Sequence, residues 1–286
     1  MAVFEQSYSL YSGKLTPSWS RFLIIPRHAY REIFRSKINL SFFLACFIYP
    51  FVSLILIYLH HNSSALQMLD LKINNLIAID SIFFYRLAYL QGIMSYLFTL
   101  MVGPDLVARD LTNNALPLYL CRPLSRTEYV LGKMSTVLIL LSAFTWLPAT
   151  LLFFFQVYLE GSQWWMSNYF MLSGLIFGNI VWIVMIALLS QVISAWVKWK
   201  VAARGLMFGL YFVSSIVSNV FYEIFEVKWA KLLSIGELIR TVWRVTLQHP
   251  NPPEVSIWSA ITVIGLVYII CICLLTRRVR AYEVIS

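Results

Sequence analysis

Charge is what this chain has least of. Only 12% of its residues are charged, against 60% hydrophobic, and the mean hydropathy is +0.74. A soluble domain carries about twice that charge. Acids are the scarcer sign: 13 Asp and Glu stand against 22 Lys and Arg, for a net charge of +9. The basic residues sit at the ends of apolar blocks, so they read as topology signals and lipid-headgroup contacts rather than as a nucleic-acid surface. Cysteine is equally sparse, with Cys46, Cys121, Cys271 and Cys273 in the whole chain. None reads as half of an exported disulfide, and Cys271/Cys273 is not a metal spacing. Alternating strands, the signature of a membrane barrel, are also missing.

The usual chemical signatures are missing too. Gly132-Lys133 would end a phosphate-binding loop, but Thr127 stands where the first glycine belongs. H-E-x-x-H and G-x-S-x-G do not occur. The apolar blocks hold Gln91, Gln156, Asn179, Gln191 and Asn219, none of which titrates. A proton-coupled carrier needs a titratable group near the midplane. The chain therefore reads as a non-enzyme that borrows energy from a partner. The alternative is a stand-alone secondary carrier or channel without an ATPase. Such carriers pair broken helices between halves, and Pro148 has no clear counterpart.

What is present is a series of apolar runs long enough to cross a bilayer, about 20 residues each. The expected fold is an all-α polytopic membrane protein of about six spans, at 38–59, 81–103, 129–159, 166–195, 201–222 and 255–275. It forms a single transmembrane unit over 1–286. Ahead of the first span, residues 16–37 place Phe22, Leu23, Tyr30, Ile33 and Phe34 at helical spacing, with Arg21, Arg27, Arg31 and Arg35 on the polar side. That pattern predicts an interface helix, with Pro26 at its start. No cleavable signal peptide is evident. Pro50 is positioned to kink the first span. His60 and His61 are adjacent and do not share a helix face, so they read as loop rather than metal site. Residues 223–253 form an outer amphipathic segment, with Leu232, Ile235, Ile239 and Val242 on one side and Glu237, Arg240 and Arg244 elsewhere.

Two spans carry polar stripes. Tyr85, Tyr89, Gly92, Tyr96 and Thr99 recur at steps of three and four on the second span. Tyr211, Ser214, Ser215, Ser218, Asn219 and Tyr222 do so on the fifth. Such stripes belong against protein or a cavity, not lipid. They are the candidate substrate path, and bulky groups at Gly92, Ser215 and Ser218 are expected to block it. Lys and Arg gather in the N-terminal flank, in 104–133, in 198–204 and in the tail, which places both termini in the cytoplasm.

The longest polar interruption on that side is PDLVARDLTNNALPLYLCRPLSRTEYVLGK, residues 104–133. It resembles the signature of ABC type-2 exporter permeases of bacteria. The matching residues are Asp110, Ala115-Leu116, Tyr119-Leu120, Pro123-Leu124-Ser125-Arg126 and Leu131-Gly132-Lys133. Asn114 stands where the family often has glycine, and asparagine tolerates left-handed backbone. The resemblance implies a subunit of the cytoplasmic (inner) membrane that pairs with a second permease, a copy or a homologue. It implies separate ATP-binding cassette subunits that carry ATP and Mg2+, with no cofactor in this chain. On that reading 104–128 is a coupling segment that presents Asp105, Arg109, Asp110, Leu116, Tyr119, Pro123, Ser125 and Arg126. Arg109 and Asp110 would meet partner charges, and Leu116 and Tyr119 would fill a groove. The aromatic, weakly polar stripes suit a hydrophobic or amphiphilic cargo.

Overall fold

The computed structural model describes residues 17–62, 78–112, 125–197 and 199–278. Among them the regular structure is helical, and six helical stretches are long and apolar enough to cross a membrane. A 3-10 turn, Ser18–Leu23, leads into α1, Ile24–Ile33. The first span is split into α2, Lys37–Ala45, and α3, Ile48–His61. The second is α4, Ser81–Thr112. The third is split into α5, Arg126–Phe144, and α6, Trp146–Glu160. The fourth and fifth are α7, Ser162–Trp196, and α8, Lys200–Phe225. A 3-10 turn, Lys228–Leu233, precedes α9, Ile235–Thr246. The last span is α10, Ile257–Arg278.

Prolines explain the breaks. Pro50 has no N–H to offer the carbonyl four residues back, which is that of Cys46. The first span breaks there, and the buried Gln91 side chain of α4 donates to the Cys46 oxygen at 3.1 Å. A carbonyl freed in an apolar setting costs several kcal/mol unless it finds such a donor, about the worth of a lost hydrogen bond in hydrocarbon. The third span breaks at Thr145, three residues before Pro148, and the Thr145 hydroxyl donates to Leu141 O at 2.7 Å.

The molecule is organised around α4 and α7, which pack along their length. Small residues let them approach: a Cβ on Gly103 would sit 1.9 Å from the Ser190 hydroxyl. The α2–α3, α8 and α10 stretches are the least buried spans. On α8 the exposed side is apolar and includes Val201, Phe208, Ile216 and Ile224. Lipid or another apolar protein face suits such a surface.

Two amphipathic segments turn their apolar faces inward. On α1, Ile25, Pro26, Ala29 and Ile33 are buried, and Ile25 sits against Gly132 of α5. Burial pushes the Tyr30 phenol up to about 12. The outer segment 223–253 packs inward as well. The 3-10 turn runs along α8, the chain turns at Ser234, and α9 returns packed on α7, α4 and α10. At the turn the Ser234 and Ser215 hydroxyls are 3.1 Å apart. Ser215 lies ten residues before the end of α8, about 15 Å along the helix. The segment is a re-entrant arm. Its hydrophobic face is satisfied by helices rather than by a membrane surface, because Gly92, Gly174 and Gly178 leave room for it.

Candidate functional site

The described stretches 104–112, 125–133 and 199–204 meet at one end of the helix bundle, here the basic end. The second span does not stop at Gly103. It continues through Asp105 and Asp110 to Thr112, so this part of the expected loop is helix. Pro104 ought to end the helix, since it lacks a donor and crowds the preceding turn. The helix nevertheless continues, and α7 bonds into the turn that follows the proline. The Ser194 hydroxyl donates to Pro104 O at 2.7 Å and accepts from Ala108 N at 2.8 Å. It stands inside the backbone ladder as a wedge. One turn earlier, the Arg204 guanidinium of α8 donates to Met101 O at 3.2 Å and pairs with Asp105 at 3.0 Å.

Asp110 ends the internal network. Lys133 Nζ of α5 lies 2.8 Å from its Oδ2, and the Tyr129 hydroxyl donates to the same oxygen at 2.7 Å. The two charged side chains are only 8% and 14% exposed. Sequence reasoning assigned Asp110 to a partner's charges; the structure engages it within the chain. The position of α5 explains the difference. Ser125 caps α5 by accepting from Glu128 N at 3.2 Å, and Glu128 accepts from Ser125 N at 2.6 Å. This capping box starts α5 at Arg126. Tyr129 and Lys133 then fall one turn apart on the same side. Arg109 and Arg126 occupy helical positions, and Leu116, Tyr119 and Pro123 lie outside the described residues.

The expected path divides in two. Gly92, Tyr96, Thr99 and Ser218 are buried in helix packing. Trp243 of α9 fills the space above Gly92 and Gly178, and the Trp182 indole N–H reaches Gly92 O at 3.0 Å and Ser95 Oγ at 2.8 Å. Tyr96 donates to Met207 O, and its ring lies 4.5 Å from that of Tyr211. The Thr99 hydroxyl is turned back onto Ser95 O at 2.7 Å. These residues hold helices together. Asn219 is exposed on another side of α8. Tyr85, Tyr89, Tyr211 and Ser215 remain half-buried along one seam.

Facing that seam are residues the sequence showed but did not place: Glu237, Arg240 and Arg244 of α9. Arg240 pairs with Glu237 at 2.6 Å and its guanidinium lies 5.9 Å from the Tyr89 ring centre. Tyr85 and Tyr89 stack at 6.3 Å, and His249 lies 4.6 Å from Tyr85. The amphipathic spacing of 235–246 was the available signal. Its reading as an outer segment hid the consequence.

Beyond the seam, at the end opposite the basic one, His61 and Glu160 approach to 3.3 Å and Lys231 pairs with Glu254 at 2.7 Å. The Lys231 hydrogen bond holds the Glu254 carboxyl below its ordinary range. Among the described residues no cluster of His, Cys, Asp or Glu could hold a metal ion.

These features describe a membrane-embedded subunit with no catalytic group assembled among the described residues and with internal networks concentrated at one end. No curated protein matches the chain. A family described as ABC-2 family transporter protein matches residues 23–274. The chain belongs to this family and is the multi-pass membrane subunit of an ABC transporter.

Proposed function

We propose that the chain is the permease of an ATP-driven exporter in a bacterial cytoplasmic membrane. Separate ATP-binding cassette subunits dock on residues 104–128 and supply ATP and Mg2+ chemistry. Two permeases pair, as copies or homologues, and the exposed apolar side of α8 offers a surface for lipid or for that partner. The basic end faces the cytoplasm, in keeping with the positive-inside rule. The cargo is hydrophobic or amphiphilic.

The observation that carries this reading is the Asp110–Lys133–Tyr129 knot. It fastens the helices on both sides of residues 113–124 to each other. A push on that segment therefore moves α4 and α5 as one body. The Asp105–Arg204 pair and the Ser194 wedge extend the link to α8 and α7. Buried ion pairs contribute little net stability compared with apolar packing, but they hold a defined geometry. A coupling element needs that property.

The test is a mild-detergent pull-down of the tagged chain, with mass spectrometry and ATPase activity read on the eluate. A soluble ATP-binding protein in roughly equal amount supports the reading. A clean, ATPase-free chain overturns it and favours a stand-alone carrier or channel. Arg109→Glu then locates the contact: it should separate ATP hydrolysis from transport without loss of the folded permease.

A further inference from the structure

The re-entrant arm carries charge into the interior of the bundle, and the coupling network does not use it. Glu237, Arg240 and Arg244 follow one another at helical spacing, so they share one side of α9. Opposite them stand Tyr211, Tyr89 and Tyr85. Tyr211 lies fourteen residues before the end of α8, about 21 Å along it, whereas Tyr85 lies four residues into α4, about 6 Å. The seam therefore climbs from the middle of the bundle to the end opposite the basic one. Its deep end is polar but neutral, with Ser215 and Ser234. Its shallow end has His249 against Tyr85.

The charges do not balance. Arg240 is taken by Glu237. Arg244 has no ion-pair partner among the described residues, and its Nε is buried without a hydrogen-bond acceptor. A place in the last turn of α9 gives a cation some help from the helix dipole. The Arg244 side chain is half-buried, and that help does not replace the acceptor its Nε lacks. Charged side chains retained among spanning helices mark pathways more often than packing. Aromatic rings along the same side add apolar contact and cation–π faces.

We infer that this seam binds the anionic headgroup of an amphiphile, with Arg244 as its counter-charge, Arg240 beside it, and Tyr85, Tyr89 and Tyr211 against its apolar portion. The inference rests on the exporter reading and narrows its cargo to anionic amphiphiles. The arginine fork matches carboxylate or phosphate oxygens in pairs. The Glu237–Arg240 pair excludes a cationic headgroup no more than a neutral one, so the selectivity is carried by Arg244.

The test uses the full chain in neutral maltoside micelles, without any ATPase. A phosphatidylglycerol analogue with a photoreactive group near its headgroup is the probe, and a phosphatidylcholine analogue is its neutral comparator. Adducts are mapped by peptide mass spectrometry. The expected result is labelling of residues 235–246 and of the Tyr85–Tyr89 stretch by the anionic probe. Arg244→Gln should lower it about tenfold, the loss of one charge-assisted hydrogen bond. Arg244→Lys keeps the charge but loses the paired donors, so its loss should be smaller than that of Arg244→Gln. Equal labelling by the neutral probe, or labelling unchanged in Arg244→Gln, overturns the inference. Competition by inorganic phosphate as effective as that by unlabelled phosphatidylglycerol overturns the amphiphile and leaves a small-anion site. Should Arg244→Gln not fold, competition on the wild-type chain by unlabelled phosphatidylglycerol against phosphatidylcholine decides alone. Because no ATPase is present, failure here leaves the coupling reading standing, and a failed pull-down leaves the seam standing.

Discussion

Ser194 of α7 holds Pro104 of α4 through a hydroxyl set into the backbone, 2.7 Å from the Pro104 oxygen and 2.8 Å from the Ala108 nitrogen. The wedge lies between the bundle core and the part of α4 that leads to residues 113–124. Ser194→Ala removes it. The expected effect on stability is small, about 1 kcal/mol for one net hydrogen bond. The expected effect on coupling is larger: ATP hydrolysis persists while transport per ATP falls in reconstituted vesicles. A ratio equal to wild type would make Ser194 a packing residue only.

Lys133→Met should be far more damaging to folding. It leaves the Asp110 carboxylate nearly buried beside an apolar chain, and breaking such a pair costs about 3–5 kcal/mol. Combining it with Asp110→Asn removes the stranded charge and should recover most of the loss. Thermal unfolding of the four proteins in detergent gives the comparison. Equal damage in the single and double variants would show that the pair itself is not the source.

The buried half of the sequence-predicted path leads to a different prediction from the one first drawn. Gly92→Ala places a Cβ about where the Trp243 ring now lies, 2.4 Å from its nearest carbon. Overpacking of that kind costs about 1–3 kcal/mol. The expected phenotype is reduced stability, not a plugged channel in an intact protein. Trp243→Phe shortens the ring and should lessen the penalty of Gly92→Ala in a double-mutant cycle. Additive losses would mean that the two residues do not press on each other.

Acid should loosen the re-entrant arm. The Glu254 carboxyl is held below its ordinary range, first by the Lys231 hydrogen bond. A depressed folded-state value means that the pair contributes above the ordinary carboxylate range. That contribution is lost as pH falls through the lowered value. Glu254→Gln should therefore lower the unfolding midpoint at neutral pH, where the pair contributes, and flatten the acid side until the two profiles meet at low pH. A midpoint equal to wild type at neutral pH, with an unchanged acid slope, would remove Glu254 from the account.

Much of this protein was legible in its composition. Apolar runs of bilayer length predict spans whatever surrounds them, since every backbone group in lipid must be satisfied locally. The breaks near Pro50 and Pro148 also follow from a missing donor. The motif from Asp110 to Lys133 pointed to the right family, which the match over 23–274 supports independently.

Tertiary structure decided what the polar residues do. Periodicity placed Gly92, Tyr96 and Thr99 on one stripe of α4, but a stripe does not say whether a cavity or an indole faces it. Trp243 fills that space, from a segment over a hundred residues away that reads by itself as an outer amphipathic stretch. Asp110 and Lys133 stood in one motif, yet only the packing of α4 on α5 turned them toward each other. The helix of α4 runs on past Pro104, and Ser194 from another span bonds into the turn that follows it. Local sequence determined which segments enter the membrane because that choice depends on transfer free energy summed along the chain. The partner of each buried polar group depended on helices distant in sequence, so no local pattern contained it.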